Sequence, residues 1–162
     1  MRILSGDEEK IARRHFEEAL SAAQKATCER AKCGSVIVKD GNVIGRGYNS
    51  PPHDSEEERR CQNEKNRYDP KVTDKTCCMH AEVRAIMDAL AKNPQRLKGA
   101  KLYFIRLGTE GKPGFSGEPY CTICSKMALD SGISEFLLWK KEGIAAYPTD
   151  EYNTLSYRFQ SE

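Results

Sequence analysis

At 162 residues and a net charge of +2, the chain is long enough for one domain with a sizeable core, and no basic run marks a nucleic-acid footprint. No apolar stretch approaches the ~20 residues of a membrane span, and the acidic segment Met1–Lys10 lacks the apolar core of a signal peptide. Seven cysteines, an odd number, suit a reducing cytoplasmic setting and metal binding better than a disulfide framework.

Ser5-Gly6-Asp7-Glu8 reads as a capping box, with Ser5 at the N-cap and Glu8 at N3. Ala12, Phe16, Ala19, Leu20 and Ala23 then share one helical face, and the helix is expected to run to about Thr27. Gly34–Val38 is a β-branched strand. Asp40-Gly41 signals a two-residue hairpin, Asn42–Tyr48 is the returning strand, and Pro51-Pro52 closes it. Residues 53–76 are polar, and the run Glu56–Arg60 reads as a solvated segment. Its length for a connection points to a lid or a metal-pinned loop.

A second helix is expected from about Cys78 to Lys92, with Ala85, Ile86, Ala89 and Leu90 on one face and Pro94 just past its end. Ala100–Ile105 is a buried strand. A Gly- and Pro-rich loop, Gly108–Pro119, leads into a third helix, Cys121–Leu129, which Gly132 ends. Ile133–Trp139 is a strand, and a last helix spans Glu151 to about Tyr157. Strands that alternate with helices in the second half imply parallel pairing and a three-layer α/β/α sandwich. In such sheets, sites form where strands end and helices begin. The chain is read as one domain, 1–162, with a polar insertion at about 53–76.

Two motifs fall at such helix starts: His80-Ala81-Glu82 and Cys121-Thr122-Ile123-Cys124. Either alone is weak, since a lone C-x-x-C is as often a redox pair or half of a structural zinc site. Together, His80, Cys121 and Cys124 supply three zinc ligands. The free N–H groups and positive dipole of a helix start favour thiolate over thiol. Three protein ligands leave a fourth position open for water, the arrangement of a catalytic zinc. A closed structural site with a fourth cysteine has no use for Glu82, whereas H-x-E with a downstream P-C-x-x-C marks the zinc deaminases.

On these residues the chain resembles the cytidine/deoxycytidylate deaminase superfamily, and among its branches the deoxycytidylate (dCMP) deaminases. The likeness runs from Ala23 to about Trp139. It rests on Cys33–Gly41, Gly47-Tyr48-Asn49-Ser50-Pro51-Pro52, Cys78–Ile86 and Cys121–Cys124. It implies a five-stranded mixed sheet flanked by helices, a homo-oligomer, His80, Cys121 and Cys124 as zinc ligands, and Glu82 as the catalytic proton shuttle. It also implies that Asn49 and Ala81 contact a small-molecule nucleotide substrate. The expected reaction is dCMP plus water to dUMP plus ammonia. Three departures lie near the pocket: a tyrosine between Pro119 and Cys121, a long Arg106–Glu118 loop, and Arg84 where asparagine is usual.

Other uses of the same residues stay open. Asn49 also suits a turn before Pro51, and Arg84 suits either an anion contact or a plain helix surface. Cys28, Cys61 and Cys77 (or Cys78) are candidates for a second, structural zinc, while Cys33 and Cys78 also suit a buried apolar role. Alternative activities are editing of tRNA or single-stranded DNA, deamination of another heterocycle such as guanine or a pterin, and a zinc-stabilised binding module without catalysis. Near-neutral charge and few spare aromatics speak against nucleic acid.

Overall fold

The computed structural model describes residues 1–160. The chain runs β1 (Arg2–Ile3), α1 (Gly6–Ala23), β2 (Cys33–Lys39), β3 (Asn42–Tyr48), α2 (Ala81–Lys92), β4 (Lys101–Leu107), β5 (Pro113–Gly114), α3 (Thr122–Asp130), β6 (Glu135–Lys140), β7 (Gly143–Pro148) and α4 (Thr149–Arg158). Three short 3-10 turns lie between β3 and α2, within the polar segment.

Five full strands form a mixed sheet in the order β3-β2-β4-β6-β7, with the two-residue β1 beyond β7 and β5 beside the end of β4. The expected parallel pairing holds only between β4 and β6, which α3 connects. The hairpin at Asp40-Gly41 makes β2 and β3 antiparallel, with both turn residues at positive φ. β7 lies antiparallel to β6 across the tight turn at Lys141-Glu142. Besides the two-residue β1 and β5, Gly143–Pro148 is the full strand that the sequence analysis does not predict. Its run of Ala145 and Ala146 carries little strand propensity, and burial between neighbours makes it a strand.

Both faces of the sheet are covered, so its strands read as nearly continuous apolar runs. Val36, Val38, Tyr103 and Ile105 face α1, where they meet Ala12, Phe16 and Ala19. Ile37, Leu102, Phe104, Phe136 and Leu138 face the other way, against Ala85, Ile86 and Ala89 of α2 and Tyr152 of α4. This alternation yields the three layers expected.

The capping box does not form. Ser5 is the N-cap of α1 but its side chain makes no cap hydrogen bond. Glu8 is drawn away by Arg2, whose Nη1 and Nη2 each donate to it at 2.7 Å. A bidentate charged pair outcompetes a single neutral cap.

Close contact between β3 and α2 requires small residues. A Cβ on Gly47 would stand 2.1 Å from the Ala81 carbonyl oxygen, and one on Gly45 would stand 2.4 Å from that of Ala85. The first turn of α2, which carries His80 and Glu82, is seated directly on this glycine.

Candidate metal centre and active site

His80 is the N-cap residue of α2. An isolated bridge to Ser50, with the Met79 N–H donating to the Ser50 carbonyl at 2.9 Å, ties the residue just before it to the end of β3. Cys121 is the N-cap of α3, and its sulfur accepts the Cys124 N–H at 3.4 Å. Both motifs thus stand at helix starts, as expected.

The two helices bring the three donors together. His80 Nδ1 lies 3.2 Å from Cys124 Sγ and 3.3 Å from Cys121 Sγ, and the two sulfurs are 3.2 Å apart. A tetrahedral zinc with bonds of about 2.1–2.3 Å needs donor separations of roughly 3.5–3.8 Å. The triad is tighter than this by about 0.3–0.6 Å, a small opening on binding, and its donor set of two sulfurs and one imidazole suits zinc. The far side of the ring is also engaged. His80 Nε2 approaches Thr76 Oγ1 at 3.4 Å, and Thr76 in turn donates to Asp74 at 2.5 Å. Such a chain holds the ring orientation that leaves Nδ1 for the metal. No motif points to Thr76 or Asp74, which lie in the polar segment.

Charges within the triad are shared unevenly. Hydrogen bonding from the Cys124 thiol, followed by His80, holds Cys121 down at about 4. The same Cys121 contact pushes Cys124 well above the ordinary thiol range. His80 is raised to about 9, mainly by its contact with Cys121. The shifts run together: Cys121 is drawn toward thiolate, His80 toward imidazolium, and Cys124 toward thiol.

Glu82 is only 6% exposed and lines the same cavity as His80 and Cys121. Burial pushes its carboxyl above the usual range, opposed chiefly by His80. A buried carboxyl with a raised pKa, facing a cavity beside a metal triad, is poised to carry protons.

The cavity measures about 260 Å³, small for a ligand pocket. Asn49 and Ala81 line it, together with Phe104 and Tyr152. The Asn49 carboxamide is partly committed: Oδ1 accepts the Cys33 N–H at 2.8 Å, and Nδ2 donates to the Ala31 carbonyl at 2.7 Å. One N–H and one lone pair remain, so the residue anchors the start of β2 while it borders the cavity. Tyr152, which no motif marks, reaches the cavity from α4 and stacks on Phe136 at 3.9 Å.

Arg84 meets an anion, the carboxylate of Asp54, but away from the cavity. It does not line the cavity, nor does it lie free on the helix surface. Its guanidinium donates to Ser50 Oγ, to the Tyr48 carbonyl at 3.2 Å and to the Pro51 carbonyl at 2.9 Å, and pairs with Asp54 at 3.3 Å. Backbone carbonyls at and beyond the end of β3 attract this fork of donors.

A second group of sulfurs lies at the cavity rim. Cys28, Cys61 and Cys78 have their sulfur atoms within 4.8 Å of one another. Cys77, expected in this group, is its neighbour. Its sulfur accepts the Arg60 N–H at 2.8 Å, which turns it outward, and buried Cys78 fills the inner place. Cys77 still approaches Cys61. Burial raises Cys61, but hydrogen bonds from Arg59, the Glu29 backbone and the Cys77 and Cys78 thiols outweigh it and leave Cys61 below the ordinary range. Both triads are therefore able to hold a zinc ion. All seven cysteines are free thiols, and among the described residues no helix is long and apolar enough to cross a membrane.

Comparison with known proteins agrees with this geometry. Residues 9–140 match the family model described as the cytidine and deoxycytidylate deaminase zinc-binding region. The chain is 34% identical over 130 residues to the deoxycytidylate deaminase of Mycobacterium phage D29, covering 76% of this chain and 89% of that protein. Its fold is similar to the dCMP deaminase of cyanophage S-TIM5 solved with dCMP and dUMP, at a TM-score of 0.56 and 22% identity, covering 78% of this chain and 79% of the other. It is similar also to a cytidine deaminase from Burkholderia pseudomallei, at a TM-score of 0.57 and 19% identity, covering 86% and 94%.

Proposed function

We propose that this chain, which belongs to the cytidine and deoxycytidylate deaminase zinc-binding family, converts dCMP and water to dUMP and ammonia. One observation carries the reading: the buried carboxyl of Glu82 opens on one cavity with His80 and Cys121, which Cys124 completes as a triad from behind. A relative 34% identical over most of both chains is a deoxycytidylate deaminase, which supports the choice of substrate.

His80, Cys121 and Cys124 would hold the zinc. Bound there, it would supply a water with its pKa lowered toward ~7. Glu82 would take one proton from the attacking water as that water's oxygen bonds to C4 of the cytosine, and would deliver it to the ring nitrogen N3. It then carries the second proton to the amine. The C4–N bond breaks, ammonia leaves, and the C4 carbonyl of dUMP forms. Burial suits Glu82 to this shuttle, because a carboxyl with a raised pKa both accepts and returns a proton near neutral pH. The remaining N–H of Asn49 and the backbone at Ala81 would orient the nucleoside.

Cys28, Cys61 and Cys78, with Cys77 alongside, would hold a second, structural zinc that pins residues 53–76 beside the cavity, within a single domain. Exposed Met87, Leu90 and Leu129 on α2 and α3 would meet a second copy in a homo-oligomer. Seven free thiols are in keeping with a cytoplasmic location.

The test is ammonia release by zinc-loaded protein from dCMP, deoxycytidine, CMP, dCTP, guanine, a pterin and a cytosine-containing oligonucleotide. Turnover confined to dCMP supports the proposal. Turnover of guanine, a pterin or the oligonucleotide alone would overturn the substrate and leave the metal chemistry.

A further inference from the structure

Cys78 of the second sulfur group stands midway between Thr76 and His80 in the chain. Those two flanking side chains meet. Thr76 Oγ1 lies 3.4 Å from His80 Nε2, the ring nitrogen that faces away from the sulfurs of the first triad. The same hydroxyl donates to Asp74 Oδ1 at 2.5 Å, and the Thr76 N–H donates to that oxygen at 2.9 Å.

The direction of these bonds selects a tautomer. A threonine hydroxyl has one proton to give, and Asp74 takes it. Toward His80 the hydroxyl then offers only a lone pair, so Nε2 carries the hydrogen of the neutral ring. The ring's own lone pair falls on Nδ1, the atom 3.2 Å from Cys124 Sγ and 3.3 Å from Cys121 Sγ. A ligating histidine held by its other nitrogen in this way binds metal more tightly.

Asp74 and Thr76 are nevertheless both exposed. Water competes for such bonds, so they are worth little unless the backbone keeps the partners in place. The next three residues supply that hold. Cys77 Sγ accepts the Arg60 N–H at 2.8 Å, and the Met79 N–H donates to the Ser50 carbonyl at 2.9 Å. Between them, buried Cys78 joins Cys28 and Cys61. Cys28 lies in the connection from α1 to β2, and Cys61 in the polar segment. A metal on these three sulfurs would tie three separate stretches together at the point between Thr76 and His80.

We infer that Asp74 and Thr76 are positioning residues for His80, and that the Cys28–Cys61–Cys78 site holds them there, so that metal at the second site strengthens metal binding at the first. The inference rests on the zinc reading of both triads and is independent of the choice of substrate. It gives the polar segment a part in the chemistry: its end sets the ring of a zinc ligand.

The test follows the side-chain nitrogen NMR signals of His80 in protein labelled with 15N at histidine. The chain has three histidines, and spectra of His53→Gln and His80→Gln assign them. Zinc added to wild type should move the Nδ1 signal and leave the hydrogen on Nε2. A signal that zinc does not move fails the zinc reading, and the inference with it. Competition with a chelator of known zinc affinity, read at His80, then gives the affinity of the first triad alone. Thr76→Val and Asp74→Ala are expected to weaken it by roughly 10–100-fold, and Thr76→Ser, which keeps the hydroxyl, should bind as wild type does. Wild-type affinity in Thr76→Val would overturn the positioning role. So would a Thr76→Ser protein as weak as Thr76→Val, since the loss would then be one of packing. Cys28→Ser/Cys61→Ser is expected to weaken the first triad by about 5-fold or more. In that background Thr76→Val should cost less than in wild type, because both changes act through one element. Equal costs in the two backgrounds would overturn the link between the sites. Should the double variant melt early, Cys28→Ser alone takes its place.

Discussion

His80 Nδ1 and Cys124 Sγ lie 3.2 Å apart although 44 positions separate them in the chain. Two helix starts, one at the end of the polar segment and one after the long loop from β4, are held face to face. The parallel β4–β6 pair and the glycine-seated α2 impose that geometry. The consequences can be measured.

Glu82→Gln keeps the shape and removes the proton carrier. Turnover should fall by about 10²–10⁴-fold, the range of a lost general acid–base, with zinc content unchanged. Ammonia release and metal analysis on the same sample check both halves. A variant with full activity would remove Glu82 from the mechanism.

Zinc loading of the His80 triad should release protons. At pH 7 the metal-free His80, raised to about 9, carries a proton that a ligand must lose. Cys124, held well above the thiol range, carries another, whereas Cys121, at about 4, is already ionised. About two protons should therefore leave per zinc. Affinity should weaken as pH falls, because acid favours the protonated ligands. Calorimetry in buffers of different ionisation enthalpy counts the protons. The Cys28→Ser/Cys61→Ser background isolates this site from the second.

That same double variant bears on stoichiometry. Wild type should hold about two zinc ions per chain and the variant about one, since Cys78 and Cys77 alone make a poor site. Residues 53–76 should also become faster to cleave in limited proteolysis, because few apolar contacts hold them. One zinc per chain in wild type would dismiss the second site.

Gly47→Ala places a methyl 2.1 Å from the Ala81 carbonyl oxygen. The contact is backbone against backbone, so α2 must shift. The expected cost is about 1–3 kcal/mol or more, visible in urea unfolding. Zinc affinity should drop as well, since the displaced turn carries His80.

Arg84→Met removes a charged donor from the Tyr48 and Pro51 carbonyls and the cation beside Asp54. Stability should fall by about 1–3 kcal/mol. The dCMP-to-deoxycytidine ratio should stay put, because Arg84 does not reach the cavity. Urea unfolding and kinetics on the two substrates check both halves.

Much of this molecule is legible in the residue order. The apolar faces of α1 and α2, the Asp40-Gly41 hairpin and the ligand motifs at helix starts are local signals. They depend on spacings of two to four residues, so periodicity and turn chemistry are enough to find them. The sequence also carried the family, because the ligand residues and the glycines of β3 meet chemical demands that few other residues satisfy.

Tertiary structure alone decided the rest. Glu8 abandoned its cap for Arg2, a partner outside the helix. Gly143–Pro148 became a strand because β6 offered it hydrogen bonds. Cys78 rather than Cys77, both candidates, joined Cys28 and Cys61, while the Cys77 sulfur accepts the Arg60 N–H. Arg84 turned to the carbonyls beyond β3, and Arg106 and Ser116, from segments that no motif links, came to line one cavity. In each case the deciding partner is distant in sequence or lies beyond the local motif. Hydrogen bonds and burial between such segments exist only once the sheet has assembled, so short-range patterns cannot carry them.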